Sequence, residues 1–290
     1  MMTTVDKKCI LACIDGSKLS DAVIEQAIWL ANNSQFSIKF LHTIEHSHLS
    51  EKVHHEGTIT PNMTEHLLNE LSDEERIESK RLIADGKTIL NNAVQQAEQA
   101  GLTNIVAKQR HGTLSEVLQD LEMEIEIVVL GATGQDHNGD KKGLGSQLEE
   151  AIRVSHKPIV IVKKPFVAPR NLMLAYNGSP TSKKAIEIIK NDLFSTQLFN
   201  IHIISVQKNI EEAQRLVDEV EKELSSAKCI LKTTALKGDP VELLTEYQQE
   251  HHIDLTMMGA FSHGKIHGFM FGSFTTQMLL ESETNFLLCR

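Results

Sequence analysis

The chain has 290 residues, 41% of them hydrophobic and 4% aromatic, and a formal net charge of −10. That length suffices for two ordinary domains with cores of their own, while the negative balance argues against a nucleic-acid binder, which needs a basic surface. No apolar run is long enough to span a bilayer, and the polar start, Met1 to Lys8, lacks the apolar stretch of a signal peptide, so the expected compartment is the cytoplasm.

In chain order, Cys9 to Ile14 is an unbroken apolar run of strand length, as for a strand covered on both faces. Asp15-Gly16-Ser17 ends it. Ala22, Val23, Ala27, Ile28, Leu30 and Ala31 follow at helical spacing, with Ser17 or Ser20 as N-cap, and Phe36 to Ile44 reads as a second strand. From about Glu45 to Arg81 the chain holds Gly57, Pro61 and many histidines. Asp73 to Glu78 then enters a long helix that runs through Ile83, Ile89, Leu90, Val94 and Ala97 to Gly101. Ile127 to Leu130 leads into Gly131-Ala132-Thr133-Gly134, Gly145-Ser146 opens a helical segment to Arg153, and Pro158 to Val162 closes the unit.

The unit recurs after Pro169. Leu172 to Tyr176 is the strand and Asn177-Gly178-Ser179 the turn; Pro180 beside Ser179 fits a capping serine with proline at the first helical position, and by analogy Ser17 caps the first copy. Ile210 to Ala227 is a shorter helical stretch. Ile253 to Met258 runs into Gly259-Ala260-Phe261-Ser262-His263-Gly264, Gly272-Ser273-Phe274-Thr275 opens a helix, and Asn285 to Cys289 closes the copy. Asp15 and Asn177 are offset by 177 − 15 = 162, whereas Gly112 and Gly238 are offset by 238 − 112 = 126 and Gly131 and Gly259 by 259 − 131 = 128. The fall of 162 − 126 = 36 places an insertion in the first copy, near 45–81. Strand and helix alternating in both copies predict an α/β fold, with two tandem open, parallel five-stranded sheets flanked by helices in the Rossmann-like manner. The break at Lys163 to Arg170 divides the chain into 1–165 and 166–290.

Glycine loops that free backbone N–H groups, followed by helix N-termini, attract phosphate. The amides of Gly145 and Gly272 are therefore expected to be exposed and aimed at a cavity. In open α/β sheets ligands lie beyond the carboxyl ends of the strands, where Asp15 and Asn177 either bond a ribose or base or simply cap the next helix. Neither copy contains a Gly-x-x-x-x-Gly-Lys-Ser/Thr loop or a G-x-G-x-x-G after its first strand, which points to a mononucleotide. His42, His46, His48, His54, His55 and His66 crowd the insertion, but irregular spacing without cysteine reads as a solvated loop rather than a zinc site, so no metal is expected. Cys9, Cys13, Cys229 and Cys289 form no C-x-x-C pair and read as reduced, small hydrophobes. No G-x-S-x-G occurs and no catalytic constellation emerges.

The tandem repeat, Ile14-Asp15-Gly16-Ser17 and the paired Gly-Ser loops resemble the universal stress proteins in their two-domain bacterial form, most specifically at Gly143 to Glu149 and Met257 to His263. The resemblance implies an adenine-nucleotide alpha-hydrolase-like domain in each copy, ATP or AMP as ligand with Mg accompanying ATP, pairing through the last strand, and a role in surviving stress. Carried across, the first copy's nucleotide-binding residues are Asp15, Thr43, Leu130, Gly131, Gly134, Gly145 and Ser146; the second copy's are Asn177, Val206, Met258, Gly259, Ser262, Gly272, Ser273, Phe274 and Thr275. Both copies depart from the family pattern. Ten residues instead of nine separate Gly134 from Gly145, Ser262 stands where the second glycine belongs, and Asn177 replaces the aspartate. The split expected from these departures is adenosine in the first copy and phosphates in the second. An internal pseudo-dimer is expected, with a homodimer and other protein partners left open. Two further readings are a scaffold whose degenerate sites bind no nucleotide, and a slow ATP hydrolase.

Overall fold

The computed structural model describes residues 8–44, 61–134, 144–190, 198–227, 229–260 and 273–290; within these, 61–75, Ser146 and Ser273 are described by their backbone. The first half runs β1 (Cys9–Cys13), α1 (Ser20–Asn32), β2 (Ser37–Ile44), α2 (Pro61–Gln99), β3 (Ile105–His111), α3 (Leu114–Asp120), β4 (Ile125–Gly131), α4 (Ser146–Val154) and β5 (Ile159–Val162). The second runs β6 (Asn171–Ala175), α5 (Pro180–Lys190), β7 (Asn200–Gln207), α6 (Ile210–Glu223), β8 (Ile230–Lys237), α7 (Pro240–Glu250), β9 (Leu255–Gly259), α8 (Ser273–Glu281) and β10 (Asn285–Cys289).

Apolar runs without alternation require cover on both faces, and the strands have it. One core gathers residues of α1, α2, α5 and α6 against one side of the sheet, and another gathers residues of α3, α4, α7 and α8 against the other. The strand order is β3-β2-β1-β4-β5-β10-β9-β6-β7-β8. Within each half every pairing is parallel, and the two sets of five meet where β5 and β10 pair antiparallel, Ile161 opposite Phe286, Val160 opposite Leu287 and Ile159 opposite Leu288. The two expected sheets are thus two parallel sets fused into one mixed sheet, through the closing strands.

The helix starts differ from expectation in the first half. α5 is capped as its sequence suggests, with Ser179 Oγ accepting from Ser182 N–H at 3.2 Å. α1, however, starts at Ser20 with Leu19 at the N-cap and no side-chain cap, so Ser17 does not play the part of Ser179. The reason is local: the Ser20 hydroxyl folds back to accept from the N–H of Gly16 at 2.8 Å and is unavailable to the helix end.

α2 starts at Pro61, well before the acidic segment, so part of the insertion is a backward extension of this helix. Its 39 residues span about 58 Å at about 1.5 Å per residue. Gly86, Leu90, Ala93 and Ala97 face the sheet at helical spacing. A Cβ on Gly86 would lie 2.1 Å from Gln109 Nε2 and 2.7 Å from His42 Nδ1, so only glycine lets the helix cross β2 and β3 this closely. His42 is therefore no solvated-loop residue. It is 8% exposed, and its Nδ1 is buried with no hydrogen-bond partner among the described residues. Burial lowers its pKa, partly opposed by the charge of Asp15. His46, His48, His54 and His55 lie outside the described residues, as does the side chain of His66.

Candidate functional site

The order β3-β2-β1-β4-β5 reverses between β1 and β4, whose connections leave to opposite faces. This reversal is where ligands settle on open α/β sheets. Asp15 stands just past β1, and its carboxylate is pinned. Oδ1 accepts from Ser17 N–H at 2.9 Å and from the Ser20 hydroxyl at 3.1 Å. Ser20 Oγ in turn accepts from the main-chain N–H of Asp15 at 3.3 Å. Gly16 supports the turn with φ of 78°, a conformation glycine adopts without steric cost.

The glycine loop after β4 meets this carboxylate. A Cβ added to Gly134 would sit 2.9 Å from Asp15 Oδ2. Spacing alone does not reveal the reason for glycine here: it is the acid just past the neighbouring strand β1. Gly131 is tight too, with a Cβ reaching 3.3 Å from Leu19 Cβ and from the Thr133 carbonyl. Gly145 is the N-cap of α4, so the helix opens where the Gly-Ser pair places it.

The Gly145 amide corrects the expectation of an open donor. It donates to the Ala132 carbonyl at 3.1 Å, and the Gly145 carbonyl accepts the first α4 bond from Glu149 at 3.0 Å. Ala132 in turn donates to Val162 at 2.8 Å, tying the loop to β5. An anion at this helix would have to be met by the residues that follow, beginning with Ser146.

Of the other first-half candidates, Leu130 points its side chain into the core at 3% exposure, so only its backbone can serve a ligand. Thr43 is partly exposed near the end of β2, in register with Arg110 of β3. Sequence reasoning read Cys13 only as a small hydrophobe and passed over Leu19 and Leu144. All three are partly buried against the core on the α3 and α4 side of the sheet, with Cys13 within reach of the Asp15 charge and Leu19 beside Gly131. Burial, then the charge of Asp15, pushes the Cys13 thiol up to about 12, so it is neutral. The available signal was a leucine inside a polar turn, Leu19 between Asp15 and Ser20.

The second half repeats the turn and differs around it. Asn177 Oδ1 accepts from Ser179 N–H at 3.1 Å, as Asp15 does from Ser17. α5 starts at Pro180, two residues earlier in the repeat than α1, since Ser20 matches Ser182 at the offset of 162. The extra turn lies on Gly259, where a Cβ would be 2.5 Å from Thr181 Oγ1 and 2.6 Å from Ser182 N. Met258, Val206 and Thr275 are buried, at 1%, 9% and 3% exposure, and Phe274 packs partly against the same core. Ser262 and Gly272 lie outside the described residues, and Ser273 opens α8. Among the described residues no group of three or more His, Cys, Asp or Glu could hold a metal ion. The described cysteines form no disulfide, and burial also raises the Cys289 thiol to about 12.

Two copies of an open α/β unit, each with a pinned Asx turn at the point where strand order reverses, define a tandem Rossmann-like protein. The chain belongs to the universal stress protein family, whose model matches residues 7–163 and 200–290. It is 30% identical over 287 residues to a universal stress protein of Synechocystis sp., covering 98% of this chain and 100% of that one. Its fold is similar to that of a universal stress protein from Archaeoglobus fulgidus, with a TM-score of 0.71 at 18% identity over 97% of this chain and 98% of that one. It is also similar to a putative universal stress protein from Pseudomonas aeruginosa, with a TM-score of 0.61 at 15% identity over 98% and 93%. At these identities the solved structures speak for the fold. Among the described residues no helix is long and apolar enough to cross a membrane.

Proposed function

We propose that this universal stress protein binds an adenine mononucleotide, ATP or AMP, at the rim of its first half and acts in stress survival through that bound state. The observation that carries the reading is the fixed carboxylate of Asp15, with Oδ1 held by Ser17 and Ser20 and Oδ2 against Gly134. A pre-set acceptor suits ribose hydroxyls or a base amine, and the partly buried Cys13, Leu19 and Leu144 suit the flat face of a base. Ser146 and the first turn of α4 would meet phosphate, with Mg accompanying ATP. The working compartment in this reading is the cytoplasm, and the domains are 1–165 and 166–290.

The test is calorimetric titration of the whole chain with ATP, ADP and AMP. The expected result is saturable heat that falls at least about tenfold in affinity for Asp15→Ala, which removes charge-assisted hydrogen bonds. Gly134→Ala is expected to weaken binding similarly with little change in melting temperature, because its Cβ displaces the carboxylate rather than the core. Absence of heat at millimolar nucleotide would overturn the reading.

A second reading, a scaffold that recruits protein partners without nucleotide, is favoured by two observations: the Gly145 amide is already bonded to Ala132, and the first turn of α5 lies on Gly259. Slow ATP hydrolysis is separated from both by phosphate release compared between the natural chain and Asp15→Ala.

A further inference from the structure

The sheet meets α2 through an imidazole and an amide that the fold does not require. Cys13 and Ala175 stand at the repeat offset, 175 − 13 = 162, and they pair with Leu41 and Ile204. One residue further along, His42 therefore matches Ser205. Gln109, opposite His42, matches Ala235, opposite Ser205. Under α6 the same architecture is thus closed by a fully buried hydroxyl and a partly buried methyl.

Under α2 both polar groups crowd Gly86. Gln109 Nε2 donates to the carbonyls of Leu82 at 3.4 Å and Ile83 at 3.3 Å, holding the turn of the helix just before that glycine. Toward the N-terminus Arg76, Ile77, Glu78 and Arg81 are exposed. Toward the C-terminus Leu90, Ala93 and Ala97 are buried, and Gln96 Nε2 donates to Asp21 Oδ1 of α1 at 3.3 Å. The amide thus fastens α2 where its docked part begins.

His42 Nδ1 faces the same point, buried and without a partner among the described residues. A neutral imidazole leaves one nitrogen unmet there, whereas an imidazolium carries an N–H on both nitrogens and needs an acceptor. Mid-helix carbonyls near Gly86 are engaged within α2, and the amide atom crowding the ring is a second donor. The oxygen of Gln109 can accept only if the amide turns, which ends its bonds to Leu82 and Ile83. The charged groups around the ring do not supply another acceptor. Asp15, beyond β1, favours the charged ring, but its Oδ1 is held by Ser17 and Ser20. Asp85 and Lys87 flank Gly86 on the exposed side of α2, and Lys18, Asp21 and Glu25 are exposed around α1. Lys108 and Arg110 alternate with Gln109 and so lie on the opposite face of β3, while His111 at its end is exposed. We propose that His42 and Gln109 form an acid-released latch on α2. Protonation of His42 turns the Gln109 amide toward the imidazolium, and the helix frays from its N-terminal side as far as Gly86, its weakest helix former. The closed latch needs the neutral ring, so it holds above the ordinary histidine value of about 6.5 and opens as pH falls below it. The device does not depend on a nucleotide at either rim.

The experiment is hydrogen–deuterium exchange of the full chain, read by mass spectrometry at about pH 7.5 and about pH 5 and corrected for the intrinsic chemical rate. Residues 76–86 are expected to exchange at least about fivefold faster at the lower pH, with 90–97 and α6 unchanged. His42→Asn, which does not titrate, is expected to abolish that response and to leave exchange of 76–86 at the higher pH within about twofold. His42→Leu gives the same readout should His42→Asn fail to fold by circular dichroism. Gln109→Met, which keeps the length without the oxygen, is expected to reduce the acid response at least about twofold. No acid response in the natural chain overturns the proposal. An equal response in the His42 variants overturns it too, as does a rise shared equally by α6.

Discussion

At the scale of single residues, two positions carry consequences that can be measured. Gly86 sits mid-helix, where alanine would ordinarily gain up to about 1 kcal/mol. Here the new Cβ would lie 2.1 Å from Gln109 Nε2 and 2.7 Å from the buried His42 ring. The amide can swing away, giving up its long bonds of 3.4 and 3.3 Å to the carbonyls of Leu82 and Ile83, but the ring is held in the core. Overpacking at about 1–3 kcal/mol outweighs the propensity gain. Gly86→Ala is expected to lower stability in urea by about 1 kcal/mol, and adding Gln109→Ala to recover only part of it. His202 gives a pH signature. It is 9% exposed, its Nδ1 lies 3.0 Å from Tyr247 Oη, and burial first, then the charges of Lys232 and His251, lower its pKa to about 4. Between the unfolded value of about 6.5 and the native value, the unfolded chain binds the proton and the native chain does not. His202 therefore contributes stability that is full above about 6.5 and is lost as pH falls toward 4. In His202→Gln, which keeps a partner for Tyr247, the urea midpoint should decline less steeply across that window.

At the scale of elements, the sequence is most legible where burial is complete. β1, β4, β9 and β10 are near-continuous apolar runs because both faces are covered, and they appear within a few residues of where those runs lie. Helix starts are less legible, since they depend on which hydroxyl is already engaged: Ser20 is spent on Asp15 and Gly16, and α1 opens without a side-chain cap. The candidate site divides likewise. Asp15, Gly131, Gly134 and Gly145 could be named from their pattern, and the structure gathers them. The bonding of the Gly145 amide to Ala132 and the pressure of α5 on Gly259 could not, because both depend on how a loop closes in three dimensions. The insertion was visible as an offset, and the helical nature of its part from Pro61 onward was not, for α2 gives no strong apolar stripe before Leu82. The helix is held by Gly86, Leu90, Ala93 and Ala97, while Arg76, Ile77 and Glu78 are exposed. Replacing Ile77 and Glu78 together by alanine should therefore cost less than about 1 kcal/mol, as surface changes do, read from urea unfolding.

At the scale of the whole molecule, the join between β5 and β10 decides cohesion. Ile159, Val160, Ile161, Phe286, Leu287 and Leu288 are all at most 2% exposed. Lys163 fastens the same seam, its N–H donating to Asn285 Oδ1 at 2.9 Å and its ammonium to the end of α8. Burial lowers the pKa of that ammonium, partly opposed by the charge of Glu283. Lys163→Met leaves two carbonyls without their donor and should cost about 1–3 kcal/mol. The loss should fall on one cooperative unfolding transition, since each half uses the other to cover an otherwise bare strand edge.

Because β5 and β10 run in opposite directions, the halves are oriented head to tail along the sheet. The end where the strands of the first half finish is the end where those of the second begin, and Lys163 bonding to Asn285 marks that meeting. Asp15 and its glycine loop consequently share one pole of the protein with the start of β10 and the end of α8, while Asn177 and Gly259 look out from the other. A partner docking on one pole would meet one of the two rims, with the other facing away across the shared sheet.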